Sequence, residues 1–169
     1  MSGTRELLIV RHAPAEDSSA RGDCGRALSV VGRSEMAAAI AGLARLIEAP
    51  QLIASSPLTR AVQTADLLAE RFPAAERASL DELAPGFDRA ALAAWLDAVA
   101  ARRIALVGHE PDLSGLVGWL IGGVNPARIR LRKGAVIALT LDGAAGPRAA
   151  ELDWALTRGA LRRLGEGQR

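Results

Sequence analysis

The chain has two histidines, His12 and His109, and each stands at the end of a short apolar run. Leu7-Leu8-Ile9-Val10-Arg11 precedes the first and Ile104-Ala105-Leu106-Val107-Gly108 the second. Ligands of open α/β sheets bind just beyond the carboxyl ends of strands, so this placement points to chemistry. A third segment, Ser55 to Arg60, follows the run Leu52-Ile53-Ala54. Parallel strands put their carboxyl ends on one rim, where Arg11-His12, Ser55–Arg60 and His109 can converge. Two arginines and two histidines on one rim make an anion site. Guanidinium forks match phosphoryl oxygens bidentately and stay charged at any working pH. A neutral imidazole beside them is a competent nucleophile toward phosphorus, and fixed cations stabilise charge on the transferring oxygens. Arg60 falls in the first turn of an expected helix, where the dipole disfavours a cation, which itself suggests an anionic partner.

The elements that must position these groups follow from periodicity and punctuation. Leu7–Val10 reads as a strand buried on both faces. Residues 13–28 carry Pro14, Gly22, Gly25 and many polar groups and read as a loop. Ser29 is a candidate N-cap for a helix with Met36, Ile40, Leu43 and Ile47 on its buried stripe, ended by Pro50. Leu52–Ala54 is a second strand, and Ser55-Ser56-Pro57 predicts a helix start with serine as cap and proline in the first turn. A further strand is expected before a helix capped by Asp88 that buries Leu92, Trp95, Leu96 and Val99. After the Ile104–Val107 strand and His109 comes a helix through Leu113, Leu116, Val117, Leu120 and Ile121, stopped by Gly122-Gly123. Ala135–Leu141 and Ala149–Leu156 read as two strands joined by a turn at 142–147. The order predicts one α/β domain over residues 1–169: a mostly parallel central sheet flanked by helices, with an antiparallel edge at the C-terminal end.

Composition bounds the function classes. A length of 169 residues suits one domain, and half the residues are apolar. The single cysteine, Cys24, excludes an internal disulfide and fits a cytoplasmic setting. Met1–Glu6 has no apolar stretch of signal-peptide length, and no uncharged run has the length of a membrane span. Net charge is only +2, with a denser basic patch at Arg128, Arg130, Arg132 and Lys133. Nucleic-acid binding calls for a larger excess and for stacking aromatics, whereas arginines that read a phosphate or a phosphoprotein fit better. Arg21, Arg26 and Arg33 read as solvated surface charges.

LLIVRHAPA, SSPLTRAVQTA and ALVGHEPD, in that order over residues 7 to about 112, resemble the signature elements of the histidine phosphatase superfamily. Small size, the Arg-His-Ala opening, Leu28-Ser29-Val30-Val31-Gly32-Arg33 and Asp81-Glu82-Leu83-Ala84-Pro85 resemble its SixA-like phosphohistidine phosphatase branch in particular. The resemblance implies a phosphoglycerate-mutase-like fold and a phosphatase acting through a phosphohistidine intermediate. It makes His12 the phosphorylated nucleophile, Arg11 and Arg60 the clamp on the phosphoryl oxygens, and His109 a further donor to the same group. Ser55 is a candidate phosphate donor, with capping as the other reading. Glu82 lies where the superfamily carries the acid that protonates the leaving group, and a purely structural role there stays open. Many family members have glycine in place of Ala13, and a left-handed backbone at that position would cost alanine more.

Other phosphatase chemistries fail on inspection. Val30 stands six positions after Cys24, where a cysteine-based loop requires arginine. No Asp-x-Asp nucleophile, Walker loop, dinucleotide fingerprint or Gly-x-Ser-x-Gly elbow occurs. Two histidines without a carboxylate cluster make a weak metal site, so no metal and no cofactor is expected. The expected substrate is phosphohistidine on a signalling protein. The alternatives are a small phosphate ester and a non-catalytic phospho-binding regulator. No nucleic-acid or membrane partner is expected.

Overall fold

The computed structural model describes residues 3–123 and 128–167. It is a single α/β domain built on one six-stranded mixed sheet. The strands are β1 (Arg5–Arg11), β2 (Leu52–Ser55), β3 (Glu76–Ser79), β4 (Arg103–Gly108), β5 (Val136–Leu141) and β6 (Ala150–Leu156). Their spatial order is β3-β2-β4-β1-β5-β6. The first four in that order run parallel; β5 pairs antiparallel with β1, and β6 antiparallel with β5.

The middles of the central strands β1 and β4 are apolar because helices cover both faces of the sheet. Leu7, Ile9, Ile104 and Leu106 face one core with Leu92, Leu96, Leu113 and Val117, from helices α3 (Arg89–Ala98) and α4 (Asp112–Gly122). Leu8, Val10, Ala105 and Val107 face the other with Met36, Ile40, Ala61, Leu68 and Leu161. Those come from α1 (Val30–Leu43), α2 (Thr59–Arg71) and α5 (Arg158–Glu166). Ser29 and Asp88 cap α1 and α3 as expected, accepting hydrogen bonds from Gly32 N and Ala90 N.

Two expectations change, and one unanticipated helix is added. Helix α1 ends at Leu43, so a turn rather than Pro50 stops it. Helix α2 begins at Thr59 without a side-chain cap, because Ser55 completes β2 and Ser56 turns toward the site. Helix α5 was not legible. It is arginine- and glycine-rich with only Leu161 buried, and it docks where Gly42 leaves room. A Cβ at Gly42 would fall 1.8 Å from the Leu161 carbonyl oxygen. Glu35 of α1 holds the same helix through Arg158 at 2.6 Å and Arg162 at 2.9 Å.

Candidate active site

Sheet register brings the two histidines together. Arg11 of β1 pairs with Gly108 of β4, so the next residues of both strands, His12 and His109, emerge side by side. His12 N donates to Gly108 O at 3.1 Å, and the ring centroids are 5.1 Å apart at 50°. On the far side of β4, Ser56 N donates to Val107 O at 2.9 Å, which sets the Ser56 hydroxyl 2.8 Å from His109 Nε2. Both histidines are buried, with 5% and 3% of their surface exposed.

The first turn of α1 closes in from below. Gly32 lies so near Pro14 that a Cβ there would meet the Pro14 carbonyl oxygen at 2.1 Å, and Ser29 N donates to that oxygen at 3.0 Å. This is why the Leu28–Arg33 segment needs its glycine. Ala13 is fully buried, and among the described residues Arg148 is the one non-glycine residue with positive φ. The strain anticipated for Ala13 is therefore absent.

His12 is held in one tautomer. Its Nδ1 lies 2.7 Å from Ala13 O, a carbonyl that can only accept, so Nδ1 carries the proton and Nε2 keeps a free lone pair. The relay continues from there. Ala13 N donates to Thr64 Oγ1 at 3.1 Å, and the Thr64 hydroxyl donates to Arg60 O at 2.7 Å. Three hydrogen bonds thus tie the ring of His12 to the helix turn that carries Arg60.

Burial pushes the His12 imidazole down to about 3, against the bond to Ala13, with the neighbouring His109, Arg60 and Arg11 adding to the shift. Burial likewise takes His109 down to about 4, helped by Arg60 and opposed by Asp23 and Asp112. Both rings are neutral near pH 7. Burial also lowers the Arg11 guanidinium, opposed by Glu110, while an arginine remains a cation in any protein setting. Arg11 Nη1 donates to Leu131 O at 2.9 Å.

Among the described residues, the buried side-chain atoms without a partner are Arg11 Nε and His109 Nδ1. Unpaired buried polar atoms are costly, and both belong to the group around His12. In one assignment Ser56 Oγ accepts from Leu58 N at 3.2 Å and gives its own proton to His109 Nε2, 2.8 Å away. In that assignment His109 Nδ1 is a second idle donor beside Arg11 Nε. A bound oxyanion is a partner that either donor could take.

Arg60 is 6% exposed and already meets an anion. Its Nη1 donates to Asp23 O at 2.7 Å and its Nη2 to Asp23 Oδ2 at 2.9 Å. Asp23 lies on the 3-10 turn Asp23–Gly25, and Arg60 and Arg26 hold its carboxyl below the usual range. Arg26 is thus not a free surface charge: it binds Asp23 Oδ1 and Glu16 O.

Of the anticipated residues, Arg11, His12, Arg60 and His109 come together. Ser55 is buried as the last residue of β2, and its neighbour Ser56 makes the contact with His109. Glu82 sits partly exposed on the 3-10 turn Asp81–Leu83. Leu83 O in that turn would stand 3.5 Å from a Cβ on Gly108, so the turn lies against the strand end before His109. Asp23, Thr64 and Glu110 were not anticipated. Thr64 stands one helical turn after Arg60, and Glu110 follows His109 directly, accepting from Ser114 N and Ser114 Oγ. Nothing local in the sequence marks Asp23. Among the described residues no group of three or more His, Cys, Asp or Glu is placed to hold a metal ion, and no helix is long and apolar enough to cross a membrane.

A model of the histidine phosphatase superfamily (branch 1) matches residues 7–89. An uncharacterized protein of Picosynechococcus sp. is 32% identical over 138 residues, which is 79% of this chain and 84% of that protein. Among solved structures, the protein histidine phosphatase SixA complexed with tungstate aligns with a TM-score of 0.77 at 23% identity, covering 92% of this chain and 99% of that one. A mycobacterial glucosyl-3-phosphoglycerate phosphatase aligns with a TM-score of 0.59 at 20% identity, covering 89% and 98%. At these identities the two structures speak to the fold.

Proposed function

Because the chain belongs to the histidine phosphatase superfamily, we propose that it removes phosphoryl groups through a phospho-His12 intermediate, with phosphohistidine on a signalling protein as its substrate. The observation that carries this reading is the state of His12. It is a buried, neutral imidazole with Nδ1–H fixed on Ala13 O and Nε2 free, beside His109 and two arginines.

The lone pair of Nε2 attacks phosphorus, and the bond from phosphorus to the substrate's ring nitrogen breaks. That nitrogen keeps the bonding pair and takes a proton from solvent. Water then attacks the phospho-His12, the P–Nε2 bond breaks, and phosphate leaves with His12 neutral again. Arg11, Arg60 and His109 stabilise the charge on the transferring oxygens. An imidazole leaves readily because its ring nitrogen is protonated near neutrality, whereas an alkoxide needs a well-placed acid. Three residues separate β2 from α2 and three separate β4 from α4, so no inserted lid rises from either connection. Short connections at these two strand ends suit a protein-borne phosphoryl group better than an enclosed small ester.

The small-ester reading keeps one support: the same fold carries a glucosyl-3-phosphoglycerate phosphatase. A non-catalytic regulator is disfavoured because His12, His109 and both arginines are all present. The deciding experiment incubates the protein with a phosphohistidine protein, a phosphohistidine peptide and alkyl and aryl phosphates, then quenches in base. Alkali-stable, acid-labile phosphate on His12 and fastest turnover of phosphohistidine support the reading. Phosphate trapped on Ser55, Ser56 or Cys24, or alkyl esters as the faster substrates, would overturn it.

A further inference from the structure

The segment Arg128-Ile129-Arg130-Leu131-Arg132-Lys133 leads into the backbone contacts of Arg11 and His12, and the chemistry above gives it no role. Its side chains alternate. Arg128, Arg130, Arg132 and Lys133 are exposed, while Leu131 is buried and Ile129 packs against the core. Its backbone is bound to the catalytic strand: Leu131 O accepts from Arg11 Nη1 at 2.9 Å, and Gly134 N donates to Arg11 O and His12 O, each at 3.1 Å. The four cations therefore stand within a few residues of backbone that is bonded to Arg11 and His12.

Among the described residues no carboxylate neutralises them. No carboxylate occurs between Asp112 and Asp142, and none of the four joins an ion pair among the described residues. Elsewhere Arg5, Arg26, Arg60, Arg77, Arg103, Arg158 and Arg162 each hold a carboxylate. Cations kept unpaired beside a phosphoryl site raise the local concentration of anionic partners and steer their approach. The ribbon carries no aromatic side chain on which a base would stack, which disfavours nucleic acid.

We propose that Arg128, Arg130, Arg132 and Lys133 form a docking surface for the acidic face of the protein that delivers the phosphoryl group, setting specificity beside the site rather than inside it. The proposal rests on the phosphohistidine reading above.

The test uses an acidic phosphohistidine-bearing phosphotransfer domain, the same domain with its acidic face neutralised, and free phosphohistidine. For the wild type, kcat/KM on the acidic domain falls about tenfold or more between low and physiological salt, and on free phosphohistidine it changes little. Arg130→Glu/Arg132→Glu, two exposed positions, lowers kcat/KM on the acidic domain by roughly tenfold or more, mainly through KM. The same variant hydrolyses free phosphohistidine at the wild-type rate and acts equally on both domains. Arg128→Gln/Lys133→Gln gives a smaller loss of the same kind.

Equal loss on domain and free phosphohistidine, or no loss on either, overturns the docking role while the chemistry stands. So does tighter binding of a single-stranded oligonucleotide than of the acidic domain. If the wild type fails to hydrolyse free phosphohistidine, it is the reaction assignment that falls. Docking is then decided by calorimetry with the unphosphorylated acidic domain: binding that the double charge reversal abolishes supports it, and absence of binding overturns it.

Discussion

The imidazoles of His12 and His109 lie 5.1 Å apart, centre to centre, and both are neutral near pH 7 because burial takes them down to about 3 and about 4. Two cationic rings at that separation beside Arg11 and Arg60 would repel strongly; two neutral ones offer a nucleophile and a hydrogen-bond donor. The site therefore gathers positive charge on its arginines and keeps its histidines uncharged until an anion arrives.

Anion binding should draw a proton in. Sulfate carries no titratable proton in the working range, and its charge raises the affinity of a neighbouring imidazole for hydrogen ion. Calorimetry at pH 5.5 in buffers of different ionisation heat should show uptake of up to about one proton per sulfate, reduced by His109→Gln. Binding with no buffer dependence would contradict the neutral-histidine site.

Folding stability should fall as pH drops from about 6.5 toward 4. In that window an unfolded histidine binds a proton and the folded one does not, so stability rises with pH. Each histidine contributes a slope of about 1.4 kcal/mol per pH unit. Urea denaturation across this window should give a shallower pH dependence for His12→Gln/His109→Gln than for the wild type.

Thr64 should act on turnover without touching substrate. Its hydroxyl joins Ala13 N to Arg60 O, and Ala13 O in turn holds the tautomer of His12. Thr64→Val keeps the shape and leaves the buried Ala13 N–H unpaired, at a cost of about 1–3 kcal/mol. We expect kcat to drop by roughly tenfold with KM little changed, since about 1.4 kcal/mol of lost positioning corresponds to that factor. Nitrogen NMR should show the His12 tautomer becoming mixed. Thr64→Ser, which retains the hydroxyl, should restore both.

Asp23 is a built-in competitor for Arg60. Its carboxylate is mostly exposed, carries the wrong sign for an anion site, and takes a guanidinium N–H that a phosphoryl oxygen would use. Asp23→Asn should tighten inhibition by inorganic phosphate by a few-fold, in keeping with about 1 kcal/mol or less for a pair whose carboxylate is exposed. Weaker inhibition with a lower kcat would show instead that Asp23 orients Arg60.

Glu82 tests the leaving group. If imidazole leaves without help from a carboxylic acid, Glu82→Gln should retain most phosphohistidine turnover and lose most of the slow alkyl-ester activity, with aryl phosphates between. Loss of all activity in a folded Glu82→Gln variant would favour a phosphomonoesterase.

Much of this site was legible one segment at a time. Apolar runs ending in Arg11-His12 and in Gly108-His109 declare buried strands with chemistry at their tips, because a strand covered on both faces must be apolar throughout. Ser29, Asp88 and Gly123 announce helix ends through purely local hydrogen bonding and backbone conformation. What the sequence could not express is pairing across distance. The register of Arg11 with Gly108 sets the two rings side by side, and it is a property of two strands rather than one. Ser56 rather than Ser55 meets His109 because β2 runs one residue further than its apolar run suggests. The tautomer of His12, the bridge through Thr64 and the hold of Asp23 on Arg60 depend on atoms brought together from separate elements. Helix α5 is the clearest case. Its own residues bury little, and it exists where Gly42 and Glu35 on another helix give it a place to dock, so only the folded chain decides it.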